Sequence, residues 1–174
     1  MCIRDSGIPV DIDGQGTVKY GALIFDGASL SVTNPSFQDI NTTNVLAFNG
    51  ASPTLDGGTF VVGTDGQGYQ GAAIQAYGAG AGLVVMQIKN SAFTGAETDC
   101  GTQGGGRSAV YLENSFVNMD TISVTQNSYG AFLRSSSGYL TNSTITTKCN
   151  AIDTNSHLSA NDQDYTCLLY TSPS

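Results

Sequence analysis

The chain has 174 residues, only 11% of them charged, and a formal net charge of −8. Six Lys and Arg against 14 Asp and Glu argue against a nucleic-acid partner, which needs clustered cations to neutralise phosphates. No run of eighteen apolar residues occurs, so no membrane-spanning helix is legible, and an acidic, Lys-poor surface suits an extracellular or salt-rich setting.

Residues 1–6, MCIRDS, lack the positive and apolar regions of a secretory signal. Met1 to Asp5 can be encoded as ATG-TGT-ATA-AGA-GAC, with Ser6 beginning AG. The reverse complement of that DNA encodes Cys167-Leu168-Leu169-Tyr170-Thr171, so both ends read as inverted repeats of one DNA. That is the form of a translated sequencing adapter. Residues 1–6 and 167–174 are therefore expected to be adapter-derived, and the stretch between them a fragment truncated at both ends. Residues 7–20 read as a leading loop or partial coil, and 21–166 as the repeats.

Two segments align without a gap at a period of 23, GALIFDGASLSVTNPSF from Gly21 and NVLAFNGASPTLDGGTF from Asn44. Looser copies begin at 71, 108, 130 and 150, and their irregular spacing places insertions in one connector. An apolar residue, three others, a small residue and then Phe or Ile recur as Val32…Phe37, Leu55…Phe60, Ile88…Phe93, Val117…Ile122 and Leu140…Ile145. Apolar residues alternate over short β-branched runs bounded by Gly, Asn, Ser and Asp, and no run shows a 3.6 period. A single copy is too small to bury its apolar face, whereas copies stacked at ~4.8 Å share one core and pair every backbone group. The expected fold is all-β, a right-handed, single-stranded parallel β-helix of about five to six coils. An antiparallel sandwich is the alternative.

Within the first strand of each copy, the column Leu23, Leu46, Ala73, Val110, Phe132 and Ile152 is expected to face inward. Its neighbours Ile24, Ala47, Ile74, Tyr111, Leu133 and Asp153 would then form an outward apolar stripe for a partner or covering segment. A misjudged parity is the competing reading. Asn- and Ser/Thr-rich turns are expected to stack as ladders between coils, a role preferred to glycosylation at the sequons beginning at Asn41 and Asn142.

The connectors hold the remaining candidates. With the ends set aside, two cysteines remain, Cys100 and Cys149, either bonded in an oxidising compartment or present as two thiols. Asp-Gly-Gln-Gly occurs at Asp13 and again at Asp65. Asp13, Asp65, Glu97 and Asp99 are candidate Ca²⁺ ligands, since hard cations take several oxygens from flexible loops. Gly-rich turns with a polar cap explain the same strings. The longest connector, Thr94 to Arg107, carries Glu97, Asp99 and Arg107 as candidate ligand-binding residues. His157, the one histidine, reads as a solvated residue.

At YGAFLRSSSGYLTNSTITTKCNAIDTNS, residues 129–156, the chain resembles the passenger domains of pertactin-like autotransporter adhesins. The resemblance covers most of residues 20–155, and at the level of the fold it extends to the pectin-lyase-like superfamily. It implies secretion, a right-handed β-helix, and display for adhesion or polymer binding. Lyases of this shape use an Arg or Lys base, which makes Arg134 the candidate catalytic cation. Leu112 and Thr154 are its expected neighbours one rung away, and an ion pair with Glu113 or Asp153 is the structural alternative.

The functional expectation is a fragment of an extracellular or cell-surface protein, non-catalytic, acting as an adhesin or structural rod. A polysaccharide or host-surface ligand is the expected partner, with no nucleic acid and no membrane span in the fragment. The alternative is part of a polysaccharide lyase or glycoside hydrolase acting on an acidic polysaccharide.

Overall fold

Alternating apolar and Ser/Thr/Asn residues give each strand one face that water disfavours. In the computed structural model these strands bury that face by stacking into three parallel sheets. The structure describes residues 10–61, 72–79, 82–95, 108–127, 129–147, 152–153 and 167–171. No helix occurs among them.

The strands in chain order are β1 (Asp11–Asp13), β2 (Tyr20–Ile24), β3 (Ser29–Thr33), β4 (Ser36–Gln38), β5 (Thr43–Phe48) and β6 (Ser52–Asp56). Next come β7 (Thr59–Val61), β8 (Ile74–Tyr77), β9 (Val84–Lys89), β10 (Ala92–Thr94), β11 (Ser108–Glu113) and β12 (Ser115–Asp120). The last six are β13 (Ser123–Asn127), β14 (Tyr129–Arg134), β15 (Ser137–Thr141), β16 (Thr144–Thr147), β17 (Ile152–Asp153) and β18 (Cys167–Thr171).

Every third strand belongs to the same sheet. Sheet A runs β1-β4-β7-β10-β13-β16, sheet B runs β2-β5-β8-β11-β14-β17, and sheet C runs β3-β6-β9-β12-β15-β18. The chain therefore passes through B, C and A in each turn of a parallel β-helix, with five complete coils and a part-coil at either end.

The corners are set by chirality. From sheet C to sheet A the link is always two residues: 34–35, 57–58, 90–91, 121–122 and 142–143. Its first residue is left-handed every time, at Asn34 (φ 48°), Gly57 (77°), Asn90 (49°), Thr121 (54°) and Asn142 (49°). Asn tolerates this region better than most residues and Gly carries no Cβ penalty, which explains the turn composition. At the B-to-C corners Asp26-Gly27 and Asn49-Gly50 are left-handed at both residues. Long connectors lie between A and B, at 62–73 and 95–107, and between B and C, at 78–83 and 154–166.

A constant two-residue corner keeps a core residue of sheet C five positions before one of sheet A. In sheet C the column reads Val32, Leu55, Ile88, Met119 and Leu140, all buried. In sheet A it reads Ile12, Phe37, Phe60, Phe93, Val124 and Ile145. Phe37, Phe60 and Phe93 stack at 5.4 and 5.0 Å, each almost fully buried. Each such ring removed from water stabilises the fold by about 1.5–3 kcal/mol. Four of the five expected motif copies lie in this register. The fourth is two residues late, because Met119 and Val124 take the places expected of Val117 and Ile122.

The parity expected for sheet B holds for Ala73, Val110 and Ile152 inside and Tyr111 outside. It fails for Leu23, Leu46 and Phe132, which face outward, and for Ile24, Ala47, Ile74 and Leu133, which face inward. Val45, Ile74, Val110 and Ala131 form one inward column, and Ile24, Ala47, Ala76, Leu112 and Leu133 the other. Leu23, Leu46, Gln75, Tyr111 and Phe132 lie between them and face outward. The gapless period fixed Leu23 against Leu46. Beyond it the insertions shifted the phase, so Ala73, Val110 and Ile152 do not share that column. A one-residue slip turns a strand over, and both faces of sheet B are apolar enough to hide it.

Strand β18 pairs in parallel with β15, Ser137 against Cys167 through Thr141 against Thr171. This segment, expected to be adapter-derived, thus takes the next rung of sheet C. Backbone pairing does not bear on its coding origin.

Candidate binding surface

On the outer surface of sheet B the stacked coils bring aromatic rings into a row parallel to the helix axis. Phe25, Phe48, Tyr77, Tyr111 and Phe132 follow one another at 5.3, 5.4, 5.6 and 5.6 Å. Three of the four contacts are near-parallel, so these rings spend their faces on each other. The row starts exposed, with Leu23 at 50% and Phe25 at 46%, and becomes buried by Tyr111 and Phe132. The apolar outer stripe expected from the sequence therefore exists, with other residues and largely covered beyond the first coil.

The polar groups of this face pair locally. Tyr77 Oη donates to Gln75 Oε1 at 3.1 Å, and Tyr111 Oη donates to Glu113 Oε2 at 3.2 Å. Burial first, then the charge of Glu113 and the neighbouring Tyr20, pushes the Tyr77 hydroxyl up to about 12. Tyr111 is pushed up as well, chiefly by burial and by Glu113. Neither phenol ionises near neutral pH.

Arg134 lies in direct register with Glu113, not with Leu112 as expected, because the repeat phase slips by one between these coils. Its Nη1 stands 3.6 Å from Glu113 Oε2, with both side chains about a quarter exposed. The candidate catalytic cation is therefore one member of a cross-rung ion pair, the alternative weighed for it.

Sheet C and its corners carry the expected ladders. Asn49 Nδ2 donates to Asp26 Oδ1 at 3.2 Å, Asn90 Nδ2 to Asp56 Oδ1 at 2.7 Å, and Asn142 Nδ2 to Asp120 Oδ1 at 3.0 Å. Corner serines tie the backbone: Ser136 Oγ accepts from the Ser115 amide at 3.1 Å while donating to the Arg134 carbonyl at 2.8 Å. Ser143 repeats this pattern with the Ile122 amide and the Thr141 carbonyl. Donors from Thr141 and Asn142 hold the Asp120 carboxyl below its usual 3.8.

Of the candidate Ca²⁺ ligands, Asp13 is described, and its Oδ1 accepts the Gln15 amide at 2.8 Å in a local turn. Asp65, Glu97, Asp99, Arg107, Cys100, Cys149 and His157 lie outside the described residues. Among the described residues no three His, Cys, Asp or Glu gather as a metal site would require. Sequence reading missed the Asp56–Asn90 and Asp120–Asn142 pairs, although the constant two-residue corner was a usable signal for them.

A scan of protein-family models, a search of curated proteins and a search of solved structures each returned no match.

Proposed function

We propose that the chain is a stretch of an extracellular or cell-surface β-helical protein, non-catalytic, of the adhesin or structural-rod type. In this reading it is a stiff scaffold whose lateral surface and corner connectors meet a polymer or a host-surface ligand. The reading rests in part on the resemblance in pattern to pertactin-like passengers and, more broadly, to pectin-lyase-like proteins. The observation that supports it most is the state of Arg134. A lyase base must reach the sugar ring and accept a proton, whereas this guanidinium stands 3.6 Å from the Glu113 carboxylate, whose charge favours its protonated form. Of the other described carboxylates with side-chain bonds, Asp26, Asp56 and Asp120 are tied to the next rung and Asp13 closes a local turn. They build the rod and do not converge on one point.

The test is an assay for depolymerisation of pectins, alginates and related glycans, with Arg134→Ala beside the parent chain. The expected outcome is no cleavage by either protein. Cleavage that disappears in Arg134→Ala would replace this reading with a carbohydrate-active enzyme.

A further inference from the structure

At the corner between sheets C and A the third, fourth and fifth coils form a shallow groove of about 420 Å³. Asn90, Thr121 and Asn142 stand along one side, and Ala92, Ser123 and Thr144 along the other. We propose that this groove binds an uncharged glycan chain lying along the helix axis. The inference rests on the reading of the chain as a non-catalytic, polymer-binding rod.

Chemistry selects the ligand class. Among the described residues the lining offers amides and hydroxyls, groups that both donate and accept, beside the apolar Ala92 and Ile122, and holds no ionisable side chain. Sugar hydroxyls have the same dual character and can match it. A phosphate or carboxylate finds no cation in the groove, and the net charge of −8 repels an anionic polymer approaching from a distance. An apolar peptide finds only Ala92 and Ile122 as anchors.

The geometry is held in place before any ligand arrives. Ala92, Ser123 and Thr144 are in register on successive rungs, so the hydroxyls of Ser123 and Thr144 stand ~4.8 Å apart along the axis beside the Ala92 methyl. Asn90 and Asn142 are fixed in the left-handed region at φ 49°. Each amide is anchored through Nδ2 to a carboxylate on sheet C, which leaves its Oδ1 and a second N–H for a ligand. Ser91 in the wall is satisfied by the Gly57 and Lys89 carbonyls. Prior anchoring lowers the ordering cost of binding.

The experiment is calorimetric titration of the full 174-residue chain with cellohexaose, mannohexaose, maltohexaose and an oligogalacturonate. At least one neutral hexasaccharide should bind, and bind more tightly than the oligogalacturonate. The double variant Asn90→Gly/Asn142→Gly keeps the left-handed corners, removes both amides, and should bind about tenfold more weakly or worse. If that variant does not fold, Ser123→Trp, placed on an exposed strand position, should fill the groove and abolish binding. Three results overturn the inference: no neutral hexasaccharide binds, the oligogalacturonate binds best, or groove variants bind as the parent does. In the third case the polymer-binding reading stands and only the groove fails. Cleavage of the titrant would instead overturn the non-catalytic reading itself.

Discussion

Asn44, at the start of β5, is fully buried with neither amide atom hydrogen-bonded, and the neighbouring Thr43 hydroxyl is in the same condition. Leaving such groups dry and unpaired costs about 1–3 kcal/mol each. Asn44→Leu keeps the branched shape while removing the penalty, so it should stabilise the chain by about 1–3 kcal/mol, seen as a higher urea midpoint. Asp120 gives a prediction of the other kind. Bonds from Thr141 and Asn142 lower its pKa in the folded state. The stability they provide is present above the ordinary carboxylate value of 3.8 and is lost as pH falls through the lowered one. Carbon-detected NMR titration should place Asp120 below 3.8, and Thr141→Val should bring it back upward. An unshifted Asp120 would mean that the cross-rung bonds do not persist in solution. Asp120 could not be singled out from sequence, because its environment comes from a rung 21 residues later.

At the scale of the strand, the inner and outer aromatic rows differ in consequence. Phe60 sits between Phe37 and Phe93 with 0% exposure, so Phe60→Ala should cost about 3–5 kcal/mol. Phe25 ends the outer row at 46% exposure and stacks on one side against Phe48, and Phe25→Ala should cost well under half as much. Chemical denaturation of the two variants checks the contrast, and equal losses would contradict the assignment of inner and outer faces. The inner row was readable from the spacing of five between Val32 and Phe37 and its recurrence. The outer row was not. Sheet B alternates between two apolar faces, and a pattern with no polar face carries no sign of which side is in.

For the whole molecule, sheet edges at β1, β2 and β3 face outward from the first coil, where Ala22 and Leu30 are only half-buried. Their rung neighbours Val45 and Pro53 are buried. Among the described residues these edges have no partner strand on the outer side, and such edges beside exposed Leu23 and Phe25 template further pairing. The 174-residue polypeptide should therefore self-associate, and Leu23→Lys with Phe25→Lys should reduce this in light scattering behind size exclusion. Its far-ultraviolet circular dichroism should be that of β-structure with almost no helix, and a monomeric, helix-rich product would contradict the architecture.

By itself the sequence pointed to the class of fold, because period, strand alternation and Gly/Asn corners are local properties that stacked parallel coils satisfy better than the antiparallel sandwich. Leu23 and Leu46 paired as read, since 23 residues without an insertion carry register intact. The Asp–Asn pairs across rungs were not read, although left-handed corners recur where the link is two residues long. Tertiary structure alone decided which side of sheet B is core, that Arg134 meets Glu113, and that a polar groove forms at one corner over three coils. The first and last depend on phase across insertions of variable length, and the second on a coil of 21 residues in place of the period of 23. A chain can absorb such insertions in its connectors without altering the composition of any strand, so the sequence carries no record of the phase it finally adopts.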